Sequence, residues 1–337
     1  MRMGSRLAEP FLDFNIHDVI RLRTNLWFAN LPEYFRVDSV EPNLTFERVD
    51  RLTPSTMGAP KRTIGYTAYE LENGRLFFES PDPVMSALGM KAKWKVLMSG
   101  LLGDSTRIVT AVPYYAFKPV RLGARQMLSK LARAVFLIKL IRRGFAVCHA
   151  TAMAAGNDAD LFFGFSGSGK STIAATLMDR GYSFLADDFA IVDPSGRIYC
   201  YPDWHEPYTE RSGLSAGIRL VQSPSHSVKG LRIRDRAVVR SIVLVERGPD
   251  EVVVLDEAEA IRRIMLLNMA EDSRLWNSPA SLVLNHYSYF FPEFDLEAMI
   301  TTHRESVHAF VKRAKRFVIL RSSSPTFANV DHLLAGV

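Results

Sequence analysis

Residues 164–172 read GFSGSGKST, glycines and hydroxyls gathered around one lysine. The run from Gly164 to Ser171 matches G-x-x-x-x-G-K-[S/T], the pattern of a loop that cradles nucleotide phosphates. The residue types follow from that chemistry. Gly164, Gly167 and Gly169 let the backbone curl until its N–H groups converge on phosphate oxygens. Phe165, Ser166 and Ser168 fill the variable positions and offer their amides. Lys170 can reach the β- and γ-phosphates, and the Ser171 hydroxyl is of the kind that binds Mg²⁺. With Thr172, these residues open a helix, whose N-terminal N–H groups and dipole also favour an anion.

A second chemical group lies just downstream. The segment YSFLADD ends in Asp187 and Asp188, 17 and 18 residues after Lys170. Neighbouring strand residues face opposite ways, so the two acids need not share a role. One can hold a metal ion while the other accepts a proton from an attacking hydroxyl. Upstream, His149 precedes Lys170 by 21 residues. A lone histidine is more often structural than catalytic.

These residues need a scaffold. ADLFFGF reads as a buried strand feeding the loop, and STIAATLMDRG as a helix closed by Gly181. YSFLAD is the next strand. If the two strands are parallel, their carboxyl ends share one sheet edge and the acids stand beside the loop. Around this unit, FAVCHATAMAA reads as a strand or a tight pair of strands, with a turn at Asn157-Asp158. AVVRSIVLVE, EVVVLD and RFVILR read as strands. EAEAIRRIMLLNM and DLEAMITTHRESVHAFVKRAK read as helices. Strands and helices interleave from residue 145 onward, which predicts an α/β domain. Before it, Leu128, Leu131, Val135 and Ile138 mark the apolar stripe of a helix over about 122–143, stopped by Gly144. Residues 1–118 lean to strand, in TFERV, RTIGYTAYEL and GRLFFES. The expected organisation is a strand-rich domain over 1–118, of unknown role, and a catalytic domain over 119–337.

Composition narrows the classes. The chain has 337 residues, 47% apolar and 23% charged, with a net charge of +6. These are the proportions of a soluble globular protein. Its two cysteines, Cys148 and Cys200, make neither a disulfide framework nor a metal cluster. No stretch is apolar and long enough for a membrane span, and the first residues lack a signal-peptide pattern, so a cytoplasmic location is expected. The segment 118–147 carries eight basic residues and no acid. Aromatics are not interleaved with those charges, which argues against a nucleic-acid platform. The helix reads as amphipathic with a solvated basic face. HEPYTER, with His205, Glu206 and Glu210, lacks a second histidine at metal spacing, so no zinc site is expected. Cys148 reads as a small buried apolar residue rather than a nucleophile.

The segment HATAMAAGNDADLFFGFSGSGKSTIAATLMDRGYSFLADD, residues 149–188, resembles the catalytic core of the HPr kinase/phosphorylase family and its relatives. The shared pieces are His149, the loop from Gly164 to Ser171, Arg180-Gly181 and Ala186-Asp187-Asp188. The resemblance implies a P-loop-containing α/β domain whose fold is like the nucleotide domain of phosphoenolpyruvate carboxykinase. It implies ATP and Mg²⁺ as cofactors, with His149 and both acids around the reacting hydroxyl. By that analogy Asp187 is the base and Asp188 the metal ligand, with the reverse order as the alternative. The family's second signature, L-E-x-R-G-L-G, meets TERSGLS at 209–215. Glu210 and Gly213-Leu214 can be laid on it, and Glu210 becomes a further candidate metal acid. Ser212 stands where the family has arginine, which argues against HPr recognition and phosphorolysis.

The expected function is transfer of the γ-phosphoryl group of ATP to a hydroxyl, on a serine of a protein or peptide or on a small alcohol. The alternative is an NTP-gated regulatory or binding module that hydrolyses slowly. The expected partners are the nucleotide and a hydroxyl acceptor, without nucleic acid or a membrane span; a homo-oligomer is left open. A carboxykinase is disfavoured, because its further metal ligands and substrate arginines have no counterpart here.

Overall fold

A computed structural model of the chain describes residues 10–203 and 230–330, apart from 27, 29–30, 53–57, 66, 82–84, 87–88, 90, 277–278, 325–326 and 329. Two large mixed sheets carry the described residues, with a few helices around them. Among these residues no helix is long and apolar enough to cross a membrane.

The chain divides into two compact units. The first comprises 1–31, 35–136 and 275–296. Its sheet runs β3-β1-β2-β4-β9-β8-β7-β6-β5. The strands are β1 (Leu12–Ile16), β2 (Ile20–Thr24), β3 (Arg36–Val37), β4 (Leu44–Val49), β5 (Pro60–Ile64), β6 (Ala68–Leu71), β7 (Arg75–Pro81), β8 (Lys93–Ser99) and β9 (Thr106–Ala111). β1 and β2 form an antiparallel hairpin. The parallel joints β2–β4 and β4–β9 link it to an antiparallel meander. Alternation drives the burial: Ile20, Leu22 and Thr24 of β2 point inward, as do Trp94, Val96 and Met98 of β8.

A 25-residue helix, α1 (Lys118–Arg142), follows. Leu128, Leu131, Val135 and Ile138 are all fully buried, and Gly144 ends the helix at φ 82°. By compactness, the two units divide inside this helix, after Phe136. Residues 275–296 return to the first unit with a helix, Pro279–Phe290, that the sequence reading did not find. Its apolar positions serve the first sheet: the Tyr287 hydroxyl lies 3.4 Å from the Leu101 amide, and the Phe290 carbonyl accepts from Arg62 Nη2 at 2.8 Å.

The second unit holds the phosphate-loop sequence. Its strands are β10 (Ala146–Cys148), β11 (Ala150–Ala155), β12 (Asp158–Phe163), β13 (Ser183–Ala186), β14 (Ala190–Val192), β15 (Arg197–Tyr199), β16 (Arg236–Arg247), β17 (Glu251–Val254) and β18 (Arg316–Ser322). The order is β10-β14-β15-β16-β12-β11-β13, with β18 on β16 and β17 on β18. The helices are α2 (Lys170–Asp179), α3 (Glu257–Trp276), α4 (Pro279–Phe290, of the first unit) and α5 (Leu296–Val311). Regular alternation of strand and helix is not observed. Hairpins intervene, because turns at Gly156 and Gly196 reverse the chain before a crossover can form.

β12 and β13 are nonetheless parallel. β11 lies between them, antiparallel to each. Ile173, Ala174 and Leu177 of α2 share a core with Phe162, Phe184, Val243 and Val318. That core clamps the helix onto the sheet and fixes where the loop emerges.

One ion pair sits in the strand that feeds the loop. Asp160 of β12 is 1% exposed and takes two hydrogen bonds from Arg240 of β16, from Nε at 3.1 Å and Nη2 at 2.6 Å. Removing one partner would strand a buried charge. Arg240→Met should therefore cost about 3–5 kcal/mol, and Asp160→Leu combined with Arg240→Met should recover most of that loss. Urea denaturation of the wild type and the two variants measures both quantities.

Candidate functional site

The loop is built by steric necessity. β12 ends at the buried Phe163, and residues 164–169 turn before α2 begins at Lys170. A side chain at Gly164 would put its Cβ 2.4 Å from Ser168 Oγ. At Gly169, φ is 111°, and a Cβ would lie 2.3 Å from the ring of the buried Phe327. Ser168 N–H closes a turn onto the Phe165 carbonyl at 3.0 Å. Gly169 caps α2 without a side-chain hydrogen bond to the first helical amides. Those amides and the positive end of the helix dipole suit an anion. Phe165, Ser166 and Gly167 are exposed at the rim, while Ser171 and Thr172 are half-buried in the first turn.

Lys170 is buried, at 5% exposure. Its Nζ donates to the Gly164 carbonyl at 2.8 Å and lies 3.4 Å from that of Phe165. It also sits 3.3 Å from His149 Nε2.

Strand register brings the remaining residues to this point. Ala150 of β11 faces Phe163 of β12, so His149 comes level with the start of the loop. On the other side of β11, Ala152 faces Ala186 of β13, which sets Thr151 against Asp187. Both acids follow directly from the end of β13. The N-terminal end of β11 thus lies between two parallel carboxyl ends, and the acids meet the loop there.

The two carboxylates have different surroundings. Asp187 is 1% exposed. Ser171 Oγ donates to its Oδ2 at 2.9 Å, and Thr151 Oγ1 donates to its Oδ1. Burial, with the neighbouring charge of Asp188, pushes its carboxyl up to about 7, although both hydroxyls and Lys170 pull the other way. Asp188 turns away through a left-handed backbone, φ 59°, a conformation Asp adopts more readily than most residues. Its side chain is 41% exposed, and Oδ1 lies 3.3 Å from His149 Nε2.

His149, Lys170, Ser171, Asp187 and Asp188 therefore converge, as do Gly164 to Ser168 around them. Glu210 lies outside the described residues. Cys148 is fully buried, in keeping with an apolar role. Sequence reasoning missed Thr151, which meets Asp187 only through the pairing of β11 with β13. It also missed Phe327, more than 150 residues away, for which no local signal exists.

No family model matches the chain, and no curated protein matches it. Among solved structures it is similar to the HPr(Ser) kinase/phosphatase from Coxiella burnetii, at 18% identity over 33% of this chain and 70% of that chain, with a TM-score of 0.19. A likeness at that TM-score carries no argument about this chain.

The environment of Asp187 has a consequence for stability. The folded chain holds the Asp187 proton more tightly than the unfolded chain, where aspartate titrates near pH 4. Without divalent cations, stability should therefore fall as pH rises from about 4 to about 7 and level off above. Asp187→Asn should lack this contribution. Urea midpoints of both proteins in chelator, across that range, test it; a wild-type-to-variant difference that stays constant with pH would contradict it.

Proposed function

We propose that the second unit is a Mg·ATP-dependent phosphotransferase acting on a hydroxyl acceptor. The observation that carries this reading is the split environment of the two acids beside the loop. One carboxylate is buried against Ser171, and the other is half-exposed beside His149, whose ring also meets Lys170. Two acids in surroundings of different polarity can take different roles, one holding a cation and the other accepting a proton.

The donor set suits Mg²⁺. Ser171 Oγ and Asp187 Oδ2 are hard oxygen donors that meet at one point. Mg²⁺ typically takes one or two protein oxygens, with the rest from phosphates and water. Among the described residues no group of three or more His, Cys, Asp or Glu could hold a metal ion by itself. When bound, the cation would offset charge on the phosphate oxygens.

The chain's own residues supply the rest. Loop amides and the start of α2 would hold the β- and γ-phosphates. Lys170 would leave the Gly164 carbonyl to meet them. Asp188, half-exposed and 3.3 Å from His149 Nε2, would take the proton of an incoming hydroxyl. This favours Asp187 as metal ligand and Asp188 as base, the reverse of the order first suggested by analogy.

Lys170→Ala should abolish measurable Mg·ATP binding in a protein that still folds, as followed by calorimetry. Asp187→Asn should raise the Mg²⁺ requirement. Asp188→Asn should leave that requirement unchanged and cut transfer by a factor on the order of 10² or more, the scale of losing a general base. The readout is label from γ-labelled ATP, screened against peptides, amino acids and sugars. Label appearing only as free phosphate, with every acceptor class tried, would favour an NTP-gated module over a kinase. Interchanged effects of the two substitutions would restore the opposite division between the acids.

A further inference from the structure

We infer that Asn268, on α3, is a positioning residue that holds His149 in place between the loop lysine and Asp188. The inference rests on the proposed function and extends its site to a helix that touches neither the loop nor the acids in the hydrogen bonds described above.

His149 occupies a break between two ladders. β10 pairs with β14 up to Cys148 opposite Ala190. β11 begins its pairing with β12 at Ala150. His149 is the residue between these two registers, at a bend. Asn268 holds that residue from the side. The His149 amide donates to Asn268 Oδ1 at 3.4 Å, and Asn268 Nδ2 donates to Cys148 Sγ at 3.5 Å. The orientation of the carboxamide follows from chemistry, since a backbone N–H needs the oxygen and not the NH₂ opposite it. Asn268 is 4% exposed, and both ends of its amide are spent on these two consecutive residues.

A second helix secures the residue before them. His303 of α5, also buried, sets Nε2 3.0 Å from the Val147 amide nitrogen and 2.9 Å from the Val147 carbonyl oxygen. Residues 147–149 are thus gripped side-on by α3 and α5 while their neighbours are held by strands.

The grip matters because His149 works at short range on both sides. Its Nε2 is 3.3 Å from Lys170 Nζ and 3.3 Å from Asp188 Oδ1. A displacement of about 1 Å would carry at least one of these contacts beyond hydrogen-bonding range, a scale of misplacement that costs enzymes on the order of 10²-fold in rate. A residue that merely filled the core would show no such effect on the imidazole.

The test uses the full chain labelled with ¹⁵N in its histidine rings, with the His149 signals assigned through His149→Gln. Asn268→Leu keeps the approximate volume and removes both hydrogen bonds. Asn268→Asp keeps an acceptor for the His149 amide. In Asn268→Leu the His149 ring signals should move, Mg·ATP affinity should stay within a factor of about three, and turnover should fall by a factor on the order of 10 to 10². In Asn268→Asp the signals should stay nearer those of the wild type, with turnover partly retained. Should Asn268→Leu fail to fold, Asn268→Ser, which is too short to reach His149, gives the same reading. Unmoved His149 signals in a folded Asn268→Leu or Asn268→Ser protein would overturn the inference. A wild type that neither binds nor turns over Mg·ATP would defeat the proposed function, while the ring signals would still decide whether Asn268 positions His149.

Discussion

The site hangs on a carboxylate that water does not reach. Asp187 leaves β13 and is buried between the hydroxyls of Ser171 and Thr151, one from the helix after the loop and one from the strand between β12 and β13. A charged group in such a place is costly unless it is hydrogen-bonded or neutralised. Its two hydroxyl partners, and Lys170 nearby, lower that cost. The same contacts tie helix, strand and loop together, so the groups that keep Asp187 tolerable also fix the geometry around it.

Topology supplies the convergence. β12 and β13 run parallel with β11 antiparallel between them, and the carboxyl ends of the outer two flank the amino end of the middle one. Placing ligand groups at strand carboxyl ends is common in open α/β sheets. The inserted strand adds His149 and Thr151 to the same edge. Elsewhere the sheet is braced by apolar packing under α2 and by the buried pair of Asp160 and Arg240. Phe327 packs where a side chain at Gly169 would stand, so the C-terminal segment after β18 shapes the loop from behind. Arg247 lies over the same ring, 4.7 Å from its centre.

The chemistry proposed for this edge depends on two adjacent acids diverging. A left-handed turn at Asp188 sends its side chain toward solvent and His149, while Asp187 stays inside. Consecutive residues thereby meet media of different polarity, and one motif can offer both a cation ligand and a proton acceptor. Transfer of a charged phosphoryl group is governed by positioning and charge stabilisation more than by covalent participation of the protein. A site whose members are held by register, core packing and side-chain brackets meets that requirement.

The sequence by itself determined the local pieces. The glycine spacing of 164–169, the periodicity of 170–179 and the apolar runs of β12, β13, β16 and β18 are short-range signals, set by backbone sterics and by the side-chain periods of helix and strand. Loop, helix and strands accordingly formed where those patterns stand, and His149, Lys170, Ser171 and the two acids could be singled out. Tertiary structure alone decided which strand separates β12 from β13, which acid is buried, and which distant residues close the site. Register is set by pairing between strands, and a slip of one residue would turn Thr151 to the opposite face. Asn268 lies 120 residues from Cys148, and Phe327 lies 158 residues from Gly169. No pattern within one segment records such a contact, because it arises only when separate helices and strands share a core. The helix over 279–290 escaped notice for the same reason: its apolar positions answer to a sheet formed by the first hundred residues.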